Sequence, residues 1–255
     1  MLPKFSKFFE KVVYNRFFEF AETNVIFYLC QFGFRKNHLS SHVLIHLLKK
    51  ISSAIIQHET TMGIFLDLSK AFDTTDHEIL FTKLEDYGIH DAALQWIKSY
   101  FSYGYQFAQF NQSCSPMQTI KCGVPQGSIL VHLIFILYIN DPPNASELIE
   151  LLLFADDTST FYSHSNPNTL ESELSSELNN IEIWLRCNKL SVNGKENDFL
   201  IFKPWWMKCC HNFSFSLDGQ LLTQTNANKF LGVYIHEHLT WKDHISYLCA
   251  NLQID

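Results

Sequence analysis

The sequence lacks the apolar segments that direct a protein into a membrane or the secretory pathway. Met1–Glu10 contains no long apolar core of the kind that a signal peptide needs. The longest apolar run, Ile129–Ile139, is interrupted by His132 and is too short to cross a bilayer, so we expect a buried helix there. These absences predict an intracellular protein of the nucleus or cytoplasm that is not secreted and has no membrane partner.

Patterns typical of zinc sites and disulfide frameworks are also missing. The seven cysteines are odd in number and include no Cys-x-x-Cys pair. Cys209-Cys210-His211 has no second pair of ligands at the spacing of a zinc finger. We therefore expect free thiols in a reducing compartment.

A general surplus of positive charge is absent as well. The formal net charge is −7 at pH 7, which is the wrong sign for a chain whose whole surface binds nucleic acid. Residues 1–50 nevertheless contain 8 lysines and arginines against 3 acidic residues. A polyanion is therefore expected to bind the N-terminal part of the chain.

The composition predicts a folded chain in which helices alternate with strands. A chain of 255 residues that is 47% hydrophobic can fill one large domain or two lobes, and it is too apolar to be disordered. Helices that alternate with strands along a chain favour a sheet backed by helices. The apolar spacing predicts helices over 3–22, 41–57, 76–87, 91–102, 129–139, 168–187 and 241–252. Strands are predicted over 62–68, 103–110, 117–121, 148–153, 158–162, 199–202, 213–217 and 229–235.

Two of these predicted strands end in acidic residues. Phe154-Ala155-Asp156-Asp157 lies between two β-prone runs, which predicts a strand, a tight turn and a second strand with two carboxylates at the turn. Asp67 follows another apolar strand. Adjacent carboxylates repel each other, and a divalent cation would offset that repulsion. Strand-end acids that meet in space would be able to hold the Mg²⁺ ions of a phosphoryl transfer.

Five sequence blocks, in their order and spacing, resemble the reverse transcriptase domain of non-LTR (LINE-type) retrotransposons, in particular the jockey-like group. The blocks are Phe65–Asp73, Gly123–Ser128, Phe154–Thr158, Asn188–Ser191 and Lys229–Val233. The flanking segments Gln31–Arg35 and Leu239–Ile245 fit the same family. No single block is decisive, but five ordered blocks over almost the whole chain argue against chance.

The resemblance implies an α/β (α+β) fold, the palm of a right-hand polymerase, with an antiparallel sheet backed by helices. Residues 1–61 would be partial fingers, and 62–235 would be the palm with embedded finger elements. Residues 236–255 would begin the connection to a thumb that is itself absent. The implied function is RNA-directed DNA polymerase activity, with an RNA template, a DNA primer and dNTPs as partners.

The resemblance also implies roles for individual residues. Asp67 and Asp156 would be the main ligands of two Mg²⁺ ions, with Asp157 beside them and Mn²⁺ as the alternative metal. Phe72 matches the bulky position that crowds a ribose 2′-hydroxyl. The complete implied nucleotide-binding set is Leu68, Phe72, Gln126 and Gly127. The implied primer grip is Phe230, Leu231 and Gly232, and the implied nucleic-acid contacts are Arg35 and Lys36.

Departures from the family pattern keep two other functions open. Val131-His132 stands where the family usually has Gly-Pro. Glu196 occupies the position of a lysine that acts on the leaving pyrophosphate, and a carboxylate there would repel that group. The alternatives are a truncated, catalytically inactive retroelement remnant and a non-enzymatic nucleic-acid-binding module built on the palm.

Overall fold

The computed structural model describes most of the chain, and its contacts divide it into two compact units. The described residues are 4–35, 38–102, 105–107, 109–111, 113–124, 127–146, 148–193, 197–204, 206–207 and 211–252. The first unit contains Met1–Leu29, Ser69–Asp141 and Leu185–Leu190. The second unit contains Cys30–Leu68, Pro142–Trp184 and Ser191–Asp255. The units therefore interleave along the sequence.

Helices and strands follow one another along the described residues much as the apolar spacing predicts. The helices are α1 (Lys4–Thr23), α2 (Ser40–Ile56), α3 (Ala71–Thr74), α4 (His77–Asp86), α5 (Asp91–Ser102), α6 (Val131–Tyr138), α7 (Pro167–Cys187) and α8 (Lys242–Leu252). The strands are β1 (Thr60–Asp67), β2 (Tyr105–Gln106), β3 (Gln109–Phe110), β4 (Ser113–Cys114), β5 (Gln118–Thr119), β6 (Glu150–Phe154), β7 (Asp157–His164), β8 (Asp198–Phe202), β9 (Ser216–Leu217), β10 (Gln220–Leu221), β11 (Thr223–Thr225), β12 (Ala227–Phe230) and β13 (Val233–His236). Among the described helices, none is long and apolar enough to cross a bilayer.

Local sequence signals account for the helices of the first unit. The Asp76 carboxylate accepts hydrogen bonds from the backbone N–H groups of Glu78 (3.0 Å) and Ile79 (3.1 Å), so it caps α4. Gly88 follows that helix with a φ of 86°. In α6 every residue except His132 is buried. The predicted capped helix and the predicted buried helix are both confirmed.

A five-stranded sheet forms the second unit, with the strand order β11-β8-β1-β7-β6. The strand β1 pairs antiparallel with both β7 and β8, and β6 pairs antiparallel with β7. The helix α2 packs its buried Val43, Leu47 and Ile51 into the core of this unit. The predicted antiparallel sheet backed by a helix is confirmed for four of the five strands, with buried β1 at the centre, whereas β11 pairs parallel with β8.

Two predicted strand regions are shorter in the structure than the sequence indicates. The described residues between 105 and 119 form two short antiparallel pairs, β2 with β5 and β3 with β4. The residues of β3 and β4 are exposed, so no core face lengthens that ladder. Within the predicted strand 213–217 only β9 forms a ladder, because the Ser214 N–H donates to Glu171 Oε1 at 2.9 Å and is not available to a neighbouring strand.

Three phenylalanines form the aromatic centre of the second unit, and we expect Phe65→Ala to be strongly destabilising. The Phe65 ring centroid lies 5.8 Å from that of Phe161 and 5.6 Å from that of Phe230. Phe65 is 7% exposed, so its removal should lower the free energy of unfolding by about 3–5 kcal/mol. In the matched control Phe110→Ala, the ring is 80% exposed and the change should stay within about 0.5 kcal/mol. Denaturant titrations measure the free energy of unfolding of both variants. Equal losses in Phe65→Ala and Phe110→Ala would contradict the placement of Phe65 in the core.

Candidate active site

The pairing register of two strands brings the three predicted acids to one end of the sheet. Asp67 is the last residue of β1 and lies directly opposite Asp157, the first residue of β7. Phe154 pairs with Asp157 across the β6–β7 hairpin, which leaves Ala155 and Asp156 as a two-residue turn. The predicted strand, turn and strand are therefore confirmed, and the acids are neighbours.

The electrostatics of this acidic cluster favour a bound cation. Desolvation raises the pKa of Asp157, and the charges of Asp156 and Asp67 raise it further. Carboxylate oxygens are the hard ligands that Mg²⁺ prefers, so the chemistry of this donor set fits a divalent metal. Within the described ranges, no three metal-ligating side chains already converge as a finished site.

Two asparagines that follow α7 hold Asp67 in place. Asn193 Nδ2 donates to Asp67 Oδ2 at 3.0 Å, and the Asn193 backbone N–H donates to the Asp67 carbonyl at 2.8 Å. The Asp67 N–H in turn donates to Asn197 Oδ1 at 3.2 Å. Buried Asn197 also donates from Nδ2 to the Asn193 carbonyl at 2.9 Å. The carboxylate of Asp67 is thus oriented through Oδ2.

Sequence reasoning did not predict this role for either asparagine. Asn193 lies two residues after Ser191, the end of a family block, and this proximity is the one signal that points to it. Asn197 carries no comparable signal, because a single asparagine between polar residues is common in loops. Glu196, the residue at the family's lysine position, lies outside the described residues.

The segment before α2 covers the turn that carries Asp156. The N–H of Leu153 donates to the Cys30 carbonyl at 2.9 Å, and the N–H of Phe32 donates to the Leu153 carbonyl at 2.8 Å. This segment therefore adds a short parallel bridge to the edge of β6. A Cβ atom on Gly33 would lie 2.1 Å from the backbone nitrogen of Ala155. Only a glycine permits so close an approach to the turn.

The turn itself has an uncommon backbone conformation. Ala155 has a φ of 59°, which is the left-handed region that residues with a side chain seldom adopt. A two-residue hairpin loop requires such a conformation, and it aligns the twist of β6 with that of β7. The covering segment is what holds Ala155 in place, since Ala155 is buried beneath it.

The predicted nucleic-acid contacts Arg35 and Lys36 follow this covering segment. Arg35 is half-buried, and its Nη1 donates to the Gln31 carbonyl at 3.2 Å. Gln31 is completely buried, and its Oε1 accepts from the Gly33 N–H at 3.1 Å. Lys36 lies outside the described residues. The nucleic-acid contact stays a prediction for both residues.

The predicted single strand 229–235 is wrong, because the structure has there the hairpin of β12 and β13, which contains the predicted primer grip. Leu231 and Gly232 form its turn with φ values of 49° and 83°, as a two-residue hairpin with positive φ at both positions requires. The Phe230 ring is buried against Phe65 and Phe161, so it packs in the core. The exposed Gly232 is the accessible part of this turn.

The predicted nucleotide-binding residues are divided between the two units. Leu68 belongs to the second unit, where it is buried and forms a backbone bridge with Val192. Phe72 belongs to the first unit, half-buried, with its ring 4.1 Å from that of Phe135. His132, where the family usually has proline, approaches the Phe72 ring edge-on at 6.3 Å.

The Gly-Val-Pro-Gln-Gly segment is anchored where it begins. Gly123 N–H donates to the Thr75 carbonyl at 2.7 Å, and the Gly123 carbonyl is 2.8 Å from His77 Nε2. Val124 N–H donates to the Phe72 carbonyl at 3.0 Å. Gln126 lies outside the described residues, and Gly127 has a φ of 83°.

The family model for reverse transcriptase (RNA-dependent DNA polymerase) matches residues 1–235. The chain belongs to this family. Within this reverse transcriptase domain, the cluster of Asp67, Asp156 and Asp157 occupies one end of the central sheet. Reverse transcriptases in general use divalent metal ions, in agreement with the donor chemistry of that cluster.

Curated relatives confirm the predicted resemblance to non-LTR retrotransposons. The chain is 27% identical to the probable RNA-directed DNA polymerase from transposon X-element of Drosophila melanogaster, over 99% of this chain. It is also 27% identical to the RNA-directed DNA polymerase from mobile element jockey of Drosophila funebris, over 97% of this chain. The chain spans only 28% and 27% of the length of these two relatives.

Solved structures confirm the palm fold of a polymerase. Apo telomerase from Candida tropicalis aligns with a TM-score of 0.57 at 12% identity, covering 91% of this chain and 40% of that one. Telomerase from Candida albicans, solved with a fragment of telomeric RNA, aligns with a TM-score of 0.54 at 13% identity. The second alignment covers 86% of this chain and 38% of that one. At these identities the likeness concerns the fold.

We expect Gly33→Ala to displace the Asp156 turn and to destabilise the second unit. The added Cβ would collide with backbone atoms of Phe154 and Ala155, which cannot rotate away as a side chain can. The matched control Gly219→Ala meets no atom within 4 Å and carries only the cost of its φ of 72°, about 1 kcal/mol. Thermal unfolding should show a clearly larger loss for Gly33→Ala, and equal losses would contradict the close approach.

The raised pKa of Asp157 predicts that Asp157→Asn raises the melting temperature near neutral pH in the absence of divalent ions. Since the folded pKa lies above the unfolded one, ionisation of Asp157 opposes folding. This destabilisation is absent below the unfolded pKa, grows between the unfolded and the folded pKa, and is complete above the folded pKa. Thermal unfolding should therefore show a higher melting temperature for Asp157→Asn than for the wild-type protein near pH 7 but not near pH 3. Asp73→Asn is the control, because Asp73 is exposed like Asp157 but does not belong to the acidic cluster. A gain at both pH values would refute the electrostatic explanation.

Proposed function

We propose that this chain is the RNA-directed DNA polymerase domain of a non-LTR retrotransposon. It would add deoxynucleotides to a primer 3′-hydroxyl by two-metal nucleotidyl transfer. The observation that carries the proposal is the register of β1 with β7, which places Asp67 beside Asp157 and the Asp156 turn in a chain of the reverse transcriptase family.

In this proposal the acids hold the metal ions. Asp67 and Asp156 are the main ligands of two Mg²⁺ ions, Asp157 lies beside them, and Mn²⁺ can replace Mg²⁺. When bound, such ions activate the primer hydroxyl and neutralise charge on the leaving pyrophosphate. Asn193 keeps Asp67 oriented, because its amide donates to Oδ2 and leaves Oδ1 for a cation.

The remaining roles rest on positions in the family's motifs. Phe72 restricts the sugar to deoxyribose, and the other nucleotide-binding residues are Leu68, Gln126 and Gly127. The primer contacts Phe230, Leu231 and Gly232, with the exposed turn as the accessible part. We propose residues 1–61 as partial fingers, 62–235 as the palm with embedded finger elements and 236–255 as the beginning of a connection to a thumb.

The proposed partners are an RNA template, a DNA primer and dNTPs. The basic surplus of residues 1–50 supports a contact with nucleic acid, and Arg35 and Lys36 are the residues assigned to it. The Candida albicans telomerase that shares this fold was solved with telomeric RNA, which supports an RNA template.

A primer-extension assay on poly(rA)/oligo(dT) tests this function. We expect Mg²⁺-dependent incorporation of dTMP that Asp156→Ala lowers at least about a hundredfold, since a lost metal ligand removes several kcal/mol of transition-state stabilisation. The matched control Asp86→Ala removes an exposed acid at the end of α4 and should leave incorporation unchanged.

The alternatives predict different results in the same experiment. Salt-sensitive binding of the primer–template without any incorporation would identify a nucleic-acid-binding module. Neither binding nor incorporation would identify a catalytically inactive remnant. Incorporation that survives Asp156→Ala would show that the acidic cluster is not the catalytic site.

A further inference from the structure

Glu10 is a charged residue in the interior of the first unit. It lies on α1 and is only 2% exposed. Among the described residues, no lysine, arginine or histidine forms an ion pair with it. Burying a carboxylate without a cation is costly unless hydrogen bonds replace its lost water. The hydrogen bonds of Glu10 therefore indicate why the position keeps a charge.

Both carboxylate oxygens of Glu10 are occupied. Oε2 accepts from the backbone N–H of Ile129 at 2.8 Å, and Oε1 lies 3.0 Å from the Tyr100 hydroxyl. That hydroxyl is also 2.7 Å from Ser128 Oγ, which accepts from the Leu130 N–H at 3.1 Å. A phenol has one proton, so Ser128 donates to Tyr100 while Tyr100 donates to Glu10. We call the five residues Glu10, Tyr100, Ser128, Ile129 and Leu130 the Glu10 clasp.

The Glu10 clasp holds the two residues that lead into α6. Leu130 is the residue before this helix and makes no side-chain cap. The N–H groups of Ile129 and Leu130 donate to Glu10 and Ser128, which fixes the backbone where the helix begins. A negative charge at this end of α6 is also favoured by the helix dipole. Burial and the neighbouring Glu10 charge raise the pKa of Tyr100 to about 12, so the phenol keeps its proton as the donor.

The clasp holds the residues that follow directly on the Gly-Val-Pro-Gln-Gly segment. The beginning of that segment is fixed by Thr75 and His77, which bond Gly123. Gly127 is exposed, and a Cβ added there would meet nothing within 4 Å. The position of Gly127 therefore depends on the anchored residues that follow it.

We propose that Glu10 is a positioning residue for nucleotide binding, which fixes Gly127 through Ser128 and Ile129 without touching the nucleotide. The inference rests on the proposed polymerase function and extends it to a residue of α1. A residue that only stabilises the fold would alter the melting temperature without a specific effect on nucleotide affinity. A positioning residue alters the KM for dNTP and leaves the affinity for primer–template unchanged.

The experiment compares Glu10→Gln and Glu10→Ala with the matched control Glu19→Gln, an exposed acid on the same helix. Hydrogen exchange of the Ile129 and Leu130 amides reports the clasp, and steady-state extension gives the KM for dTTP. We expect faster exchange and a KM raised about tenfold in Glu10→Gln, because a charge-assisted hydrogen bond becomes a neutral one. Glu10→Ala should be more severe, and Glu19→Gln should match the wild-type protein.

A second variant keeps the inference testable if a Glu10 variant does not fold. Tyr100→Phe removes the donor to Oε1 but preserves the ring, and it should raise the KM for dTTP in the same direction. A folded Glu10→Gln protein with unchanged exchange and unchanged KM would overturn the inference. Equal losses of dTTP and primer–template affinity would also overturn it, because they indicate general damage.

Failure of the proposed function gives a different result. If the wild-type chain incorporates no nucleotide, the polymerase proposal fails, and the clasp is judged by hydrogen exchange and by binding of a fluorescent dTTP analogue. Faster exchange and weaker analogue binding in Glu10→Gln, but not in Glu19→Gln, would support the positioning role. Unchanged values in both variants would reject it.

Discussion

The antiparallel register between β1 and β7 is the constraint on which the acidic cluster depends. A shift of one residue would move Asp67 to the other face of the sheet, away from Asp157. Gly63 fixes the register, since it lies opposite Phe161 and a Cβ there would meet that ring at 2.8 Å. A bond of 2.8 Å between the Thr61 and Ser163 hydroxyls supports the same alignment. Residues with no chemistry of their own thereby determine where the acids meet.

Most of the helices could be predicted because their signals are local. The same holds for the β6–β7 hairpin, which carries Asp156 and Asp157. The bounds predicted for α5 agree with the structure at both ends, and α4 begins after Asp76 and is followed by Gly88 as expected. The positions of acids at strand ends were also evident. What the local pattern does not contain is the partner of each strand, and with it the direct pairing of Asp67 with Asp157.

The supporting residues of the site could not be predicted for a related reason. Asn193 and Asn197 lie more than a hundred residues from Asp67 in the sequence, and Glu10 lies equally far from Ile129. Hydrogen bonds between such distant residues leave no periodic pattern. The predicted strand 213–217 is too long for the same reason, because the Ser214 N–H bonds to Glu171, which lies 43 residues away in the sequence.

Cys30 to Phe32 cover the edge strand β6, and this limits edge-to-edge pairing between two copies of the chain. In the described sheet β6 is an edge strand, and an uncovered edge offers unpaired N–H and carbonyl groups to any extended chain. Here Leu153 already uses both of its groups with the covering segment. The opposite edge, β11, is three residues long and gives little length for pairing. Both edges of the sheet are therefore poor templates for pairing with a second chain, since Leu153 is already bonded at one edge and β11 is short at the other.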